Sequence, residues 1–423
     1  MNEIKNIPKH WELKKLGEVC FTTSGGTPNR GNSKFYQGNI PWVKSGELDR
    51  GLILDTEEKI SEEAIKNSSA KVFPKGTLLI ALYGATIGKL AFLGVDAATN
   101  QAVCGIYKNE NIDSNYLFNF LFYKKPSLVK QGIGGAQPNI SQGILKNLDV
   151  PIPPIGEQQA IVAKIEELLS ELDNGKQQLL TAQQQLKVYR QSLLKWAFEG
   201  KLTNKKVKDG ELPKGWRNVS VGDVCKCIVP NRDKPKTFSG NIKWVTTPNL
   251  SETTIRLRYE EISLGLSEIE TKEYNARVIP IGGVIMTCVG TFGLSAIVER
   301  PIVINQQLHA FISNEQVNAK YLAYCIQNSK HYFEKTSTST TIQYLNKSNC
   351  NSMPLPLPSV KEQQLIVDEL ESKLTVCDKI DETISQSLQQ AETLRQSILK
   401  KAFEGRLINY ELKITNYDKS ITN

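Results

Sequence analysis

Gly84-Ala85-Thr86-Ile87-Gly88-Lys89-Leu90 has glycines and a lysine at nearly the spacing of a phosphate-binding loop. It is one residue short of G-x-x-x-x-G-K-S/T and ends in Leu90, where Mg²⁺ needs a hydroxyl. A strand-to-strand turn accounts for it better. Glu57-Glu58-Lys59, Glu270-Thr271-Lys272 and Glu371-Ser372-Lys373 each spell the E-x-K of many nucleases. No Pro-Asp element precedes them at useful spacing, so solvated charge explains all three. No Asn-Pro-Pro-aromatic, H-E-x-x-H, G-x-S-x-G or G-x-G-x-x-G pattern occurs. His10, His309 and His331 lie far apart in sequence, and only His309 has strongly apolar neighbours, which suits a core histidine. The eight cysteines are scattered, with only Cys225 and Cys227 close together. That argues against a zinc cluster or a disulfide framework and for a reducing cytoplasm. The residue types describe a recogniser rather than a catalyst.

What positions these residues is a duplication. Pro8-Lys9-His10-Trp11 and Leu16-Gly17-Glu18-Val19-Cys20 return about 205 residues later as Pro213-Lys214-Gly215-Trp216 and Val221-Gly222-Asp223-Val224-Cys225. Gly38-Asn39-Ile40-Pro41-Trp42-Val43 returns as Gly240-Asn241-Ile242-Lys243-Trp244-Val245, and Asn100-Gln101 as Asn305-Gln306. Residues 191–202 match residues 396–407 at nine of twelve positions. Each copy is long enough to be a domain followed by a helix. Short apolar runs, 77–82 and 284–289, read as buried strands after Pro-x-Gly turns; Tyr116–Tyr123 and Tyr321–Ile326 read as short helices.

Two longer helices stand out. Val150-Pro151-Ile152-Pro153-Pro154 and Pro354-Leu355-Pro356-Leu357-Pro358 are extended entries. Breakers are then almost absent over Glu157–Glu199 and Glu362–Glu404, with Gly200 and Gly405 as stops. Each stretch is about 60 Å long if helical. Apolar steps of four and three place Ile161, Ile165, Leu168, Leu172, Leu179, Ala182, Leu186, Tyr189, Leu193 and Trp196 on one seam. Ile366, Leu370, Cys377, Ile380, Ile384, Ala391, Leu394 and Ile398 follow the same register. Such a repeat predicts a left-handed coiled coil, each helix pairing antiparallel with the other. The expected fold is α+β: two mixed, strand-rich domains and two long helices, related by an internal pseudo-twofold. The expected boundaries are a first domain over 1–150, a spacer helix over 151–205, a second domain over 206–355, a second spacer over 356–408 and a polar tail over 409–423.

Length and composition set the frame. The chain has 423 residues, 40% hydrophobic and 23% charged, which is ordinary globular material. No run reaches the roughly 18 apolar residues of a membrane helix, and the N-terminus lacks a signal peptide's apolar core, so a cytoplasmic location is expected. A net charge of +8 permits a polyanionic partner without demonstrating one.

In its duplicated order the chain resembles the specificity subunit of type I restriction–modification enzymes. The carriers are the paired Pro-x-x-Trp openings, Trp42-Val43 with Trp244-Val245, and Asn100-Gln101 with Asn305-Gln306. More telling are the Pro-rich entries followed by Glu157-Gln158-Gln159 and Glu362-Gln363-Gln364, and the closing Ala-Phe-Glu-Gly of both helices. The resemblance implies that each globular part is a target recognition domain reading one half of a bipartite double-stranded DNA site. It implies that the helices set the gap and dock two methyltransferase subunits, and that motor-nuclease subunits join that core. S-adenosylmethionine then belongs to the methyltransferase subunits, ATP with Mg²⁺ to the motor, and no cofactor to this chain.

Base edges are read by polar side chains on loops beside strands, and phosphates are held by Lys, Arg and hydroxyls. On that chemistry the DNA-contacting candidates of the first domain are Lys44, Ser45, Tyr83, Thr86, Lys89, Gln137 and Asn139. Those of the second are Thr246, Thr247, Asn249, Thr291, Thr340, Thr341 and Gln343. Gln158, Gln159, Gln363 and Gln364 are candidates for capping the helix entries or for meeting a methyltransferase subunit. The alternative reading is a structural coiled-coil adaptor with two protein-binding domains.

Overall fold

The computed structural model describes residues 7–132, 139–204, 206–208, 210–231, 234–337 and 343–408. Four helices organise it: α1 (Ser114–Gln131), α2 (Ile155–Phe198), α3 (Ala319–Asn328) and α4 (Val360–Phe403). The chain divides into two compact units, and both cuts fall inside the long helices. One unit joins the chain up to Leu179 with the chain from Gln386 onward, and the other is Leu180–Ser385. The polar tail expected over 409–423 lies outside the described residues.

The strands of the first unit are β1 (Glu12–Lys15), β2 (Thr22–Ser24), β3 (Ile40–Val43), β4 (Gly51–Ile53), β5 (Glu58–Ile60), β6 (Val72–Phe73), β7 (Leu78–Ala81), β8 (Leu90–Leu93), β9 (Ala97–Thr99), β10 (Val103–Ile106) and β11 (Asp149–Ile152). They form a five-stranded sheet, β2-β10-β7-β8-β4, a four-stranded sheet, β5-β3-β9-β6, and the pair β1-β11. Strands β7 and β10 are buried at every residue, which explains their unbroken apolar runs. Helix α1 is capped by Asp113, whose carboxylate accepts from the Asn115 and Tyr116 amides at 2.9 Å.

The second unit repeats this plan. Its strands are β12 (Arg217–Ser220), β13 (Cys225–Ile228), β14 (Ile242–Val245), β15 (Gly265–Leu266), β16 (Val278–Ile279), β17 (Val284–Thr287), β18 (Ser295–Ile297), β19 (Ile302–Ile304), β20 (Leu308–Ser313) and β21 (Pro354–Leu357). The sheets are β13-β20-β17-β18, β15-β14-β19-β16 and the pair β12-β21. The strand β4 of the first unit has only a remnant here, a parallel bridge between Arg256 and Ile297. Asn318 caps α3 as Asp113 caps α1.

Each unit is completed by the far end of a long helix. In the first, Phe403 of α4 packs against Tyr116, Phe120 and Tyr123 of α1, with ring centroids 5.3, 5.3 and 5.7 Å away. In the second, Phe198 of α2 lies 5.0 Å from Tyr321 of α3. The Pro-x-x-Trp openings meet both helices at these places. Trp11 donates its indole N–H to Glu157 of α2 at 3.1 Å, and Trp216 donates to Glu362 of α4 at 3.0 Å. The terminal glycines, Gly405 and Gly200, sit at φ +69° and +74°, where a side chain is strained. A Cβ there would also fall 2.3 Å from Pro8 or 2.2 Å from Pro213.

Within each unit the helix segments run antiparallel. In the first unit Asp173 pairs with Arg395 and Lys176 with Glu392. In the second, Gln183 donates to Asp381 at 3.0 Å and Arg190 pairs with Asp378. Rising numbers on α2 therefore meet falling numbers on α4. Ile161, Ile165 and Leu193 are buried at the seam, as are Ile366, Leu370, Cys377, Ile384, Ala391 and Ile398.

Four seam assignments need correction. Tyr189 and Trp196 are 42% and 41% exposed, and Ile380 and Leu394 are 44% and 51% exposed. The second row of the seam is the polar set Lys176, Gln183 and Arg190 on α2, and Asp381 and Arg395 on α4, each at least partly covered. Lys176, Arg190 and Arg395 find carboxylates across the seam and Asp381 accepts from Gln183, and the long Arg stems lie along it, leaving each Arg side chain only 14% exposed. An apolar count misses them.

Truncating Phe403→Ala removes a fully buried ring from the first core and is expected to cost about 3–5 kcal/mol. Urea unfolding followed by tryptophan fluorescence measures this, and Phe198→Ala should produce a comparable loss in the second unit.

Candidate nucleic-acid interface

Recognition residues must stand on a rigid frame, and each unit supplies one through a pair of parallel strands. Strands β3 and β9 run parallel, with Trp42 opposite Ala98 and Val43 opposite Thr99. Their C-terminal loops consequently emerge at the same edge, where the Asn100 amide donates to the Val43 carbonyl at 3.0 Å. Strands β14 and β19 repeat this, and the Asn305 amide donates to the Val245 carbonyl at 3.0 Å.

Lys44 and Ser45 open the loop after β3. The ammonium of Lys44 binds Glu57 at 2.9 Å and Glu58 at 3.1 Å. Those two carboxylates raise its pKa above the ordinary lysine value. Glu58 also binds Arg30, whose guanidinium lies 4.4 Å from the Tyr36 ring centroid and 4.9 Å from that of Trp42. Arg30 was missed by sequence reasoning because the partners that position it stand 6, 12 and 28 residues further along the chain.

Tyr83, Thr86 and Lys89 lie on the turn between antiparallel β7 and β8, with Gly84 and Gly88 at φ +60° and +75°. A phosphate loop would lead from strand to helix, so the strand-to-strand reading holds. The Thr86 hydroxyl is used internally, donating to the Tyr83 carbonyl at 2.6 Å. Lys89 pairs with Asp49, while Tyr83 remains exposed and bridges to Asn139 through the backbone. That bridge brings Asn139 to the same turn; Gln137 lies outside the described residues.

In the second unit the Asn249 side-chain oxygen accepts from the Thr246 amide at 2.8 Å and from its hydroxyl at 3.0 Å. Thr247 donates to Gln307 at 3.3 Å. Thr291 is exposed on the Gly290 turn, and the Gly290 amide donates to the Gln343 carbonyl at 3.0 Å. Thr340 and Thr341 lie outside the described residues. Gln101 and Gln307 were not singled out as contacts. Both are exposed at the same edge of their units, and each accepts a threonine hydroxyl, Gln101 from Thr27 and Gln307 from Thr247.

The four helix-entry glutamines divide into two kinds. Gln158 is buried, accepting from the Asp113 amide at 2.7 Å and donating to the carbonyls of Pro153 at 2.8 Å and Asn111 at 3.1 Å. Gln363 does the same with Asn318, Gln316 and Pro358. These two fasten the start of a long helix to the start of α1 or α3 and have no surface to offer a subunit. Gln159 and Gln364 are exposed.

The profile of the type I restriction modification DNA specificity domain matches residues 8–182 and 213–390. The chain belongs to this family. Among relatives, the chain is 24% identical over 420 residues to the type I restriction enzyme MjaVIII specificity subunit of Methanocaldococcus jannaschii, covering 95% of this chain and 94% of that one. It is 28% identical over 235 residues to the MjaIX specificity subunit of the same organism, spanning about half of each, 53% and 54%. A chain from a structural study of the complex assembly and conformational transition of the type I R-M system superposes with a TM-score of 0.77 at 21% identity, over 95% of this chain and 99% of that chain. The shared fold includes both long helices.

Among the described residues no helix is long and apolar enough to cross a membrane. His309, on β20, is buried and sits 3.3 Å from the Cys350 sulfur through Nδ1. Burial, aided by Lys347, lowers its pKa from 6.5 to about 4. It is a neutral core residue, as its sequence context suggests.

The unfolded chain binds a proton at this histidine below about pH 6.5, while the folded chain resists it until about pH 4. Its contribution to stability is therefore intact above pH 6.5 and is lost as pH falls towards 4. Urea unfolding at pH 7 and pH 4.5 is expected to show a smaller acid-induced loss for His309→Phe than for the parent chain.

Proposed function

We propose that this chain is the non-catalytic sequence-reading subunit of a type I restriction–modification complex. Each unit reads one half of a bipartite site in double-stranded DNA. The helices set the gap between halves and dock two methyltransferase subunits, with motor-nuclease subunits joining that core. S-adenosylmethionine belongs to the methyltransferase subunits, and ATP with Mg²⁺ to the motor.

One observation carries this reading. The two units present different side chains on matching frames: Lys44 and Ser45 stand where Thr246 and Thr247 stand, and Ala102 where Gln307 stands. Readers of two different half-sites need that combination, because the frame fixes depth in the groove while the side chain selects the base. Lys44 and Lys89 begin in ion pairs with Glu57, Glu58 and Asp49, and exchanging these for phosphates makes binding depend on salt.

Purified chain alone is expected to bind DNA weakly and to methylate nothing. With its methyltransferase subunits it should direct adenine methylation at a split site, with affinity falling steeply as salt rises. Methylome sequencing with and without the gene gives the motif. Methylation of one unbroken short site would refute the two-reader arrangement, and salt-independent binding would favour the adaptor reading.

A further inference from the structure

Gln307 stands in the loop between β19 and β20 with its side chain exposed. Its amide orientation follows from a chain of hydrogen bonds. The Gln307 backbone N–H donates to Oδ1 of Asn305 at 3.2 Å, which makes the other terminal atom of Asn305 its NH₂ group. That Nδ2 lies 3.1 Å from the Gln307 side chain, so the atom it meets must be an acceptor, Oε1. The Thr247 hydroxyl reaches the same oxygen at 3.3 Å. Both lone pairs of Oε1 are thereby engaged, and the Gln307 NH₂ group is directed away from them.

The equivalent place in the first unit has no such group. Ala102 accepts from the Leu82 amide through its carbonyl at 2.8 Å, as Gln307 does from the Cys288 amide at 2.8 Å. The Ala102 amide donates to Asn100 Oδ1 at 3.1 Å, so the loop geometry is shared and only the side chain differs.

We infer that Gln307 is a specificity-determining residue for the half-site read by the second unit, and that it acts as a donor only. The inference rests on the DNA-reading function proposed above. A glutamine with both amide atoms free reads adenine by donating to N7 while accepting from the N6 amino group. Gln307 has spent its acceptor within the protein. It therefore favours a base edge that offers an acceptor: guanine through N7 or O6, adenine through N7, or thymine through O4. Cytosine, which presents its N4 amino donor in the major groove, is disfavoured at that position.

The test uses the reconstituted complex with its methyltransferase subunits. In the wild-type complex, oligonucleotides carrying each of the four bases at every position of that half-site should reveal one position where cytosine lowers methylation by about tenfold. Gln307→Ala and Gln307→Met should admit cytosine there and leave the other half-site unchanged. Gln307→Glu keeps the Thr247 and Asn305 donors satisfied and turns an acceptor outward, so it should shift preference towards cytosine. The inference is overturned if no position in the wild-type half-site rejects cytosine, which needs no variant to observe. It is equally overturned if all three variants keep the wild-type motif, or if they lose methylation altogether with an unchanged melting temperature. A wild-type complex that methylates no split site overturns the underlying function as well, so the two failures are told apart by the wild-type motif alone.

Discussion

A hydrogen bond from a tryptophan indole to a glutamate at the first turn of a long helix anchors each unit. Trp11 reaches Glu157, and Trp216 reaches Glu362. A buried carboxylate is costly unless its oxygens are satisfied. Glu157 gains both Trp11 and His10, whose Nε2 lies 2.9 Å from its second oxygen. Gly405 or Gly200 packs against the same tryptophan and its neighbouring proline. The start of the strand-rich part, the entry of one long helix and the exit of the other thus share one contact; in the first unit all three are remote in sequence, and in the second the exit at Gly200 directly precedes the Pro213–Trp216 opening.

That node explains why the first unit joins two separate pieces of chain, while the second, Leu180–Ser385, takes in the end of α2 and the start of α4. The aromatic core beside α1 is filled by Phe403 from the end of α4, and the core beside α3 by Phe198 from the end of α2. The buried glutamines complete the arrangement. Gln158 and Gln363 each satisfy two carbonyls and one amide that would otherwise be unpaired at the helix entry. The polar row of the helix seam belongs to the same economy of charge. Arg190 and Arg395 supply packing through their stems and orientation through their partners, Asp378 and Asp173. The candidate interface of each unit stands on a separate device, the parallel strand pair, so loops there can differ without disturbing the node.

Much of this was legible in one dimension. The duplication follows from repeated strings, and the long helices from proline entries, an absence of breakers and glycine exits. Buried strands follow from short apolar runs, and the Gly84–Lys89 turn from a phosphate-loop pattern missing its hydroxyl. These are local signals, because backbone preference and hydrophobic period act over a few residues. The residues of the node were also visible, as motifs, but the sequence held no sign that Trp11 and Glu157 touch.

Tertiary structure decided what local signals cannot carry. It placed Gln158 and Gln363 inside and left Gln159 and Gln364 outside, although each pair is identical in type. It drew Arg190 into the seam and turned Tyr189 and Trp196 outward, against an apolar count, because a charge is covered when its partner on another helix is in reach. It oriented Gln307 through Asn305 and Thr247, the latter sixty residues away. Sequence by itself determined the elements and their repetition, since those depend on neighbours along the chain. Burial, pairing and the direction of a side-chain amide depend on neighbours in space, and only the folded chain supplies them.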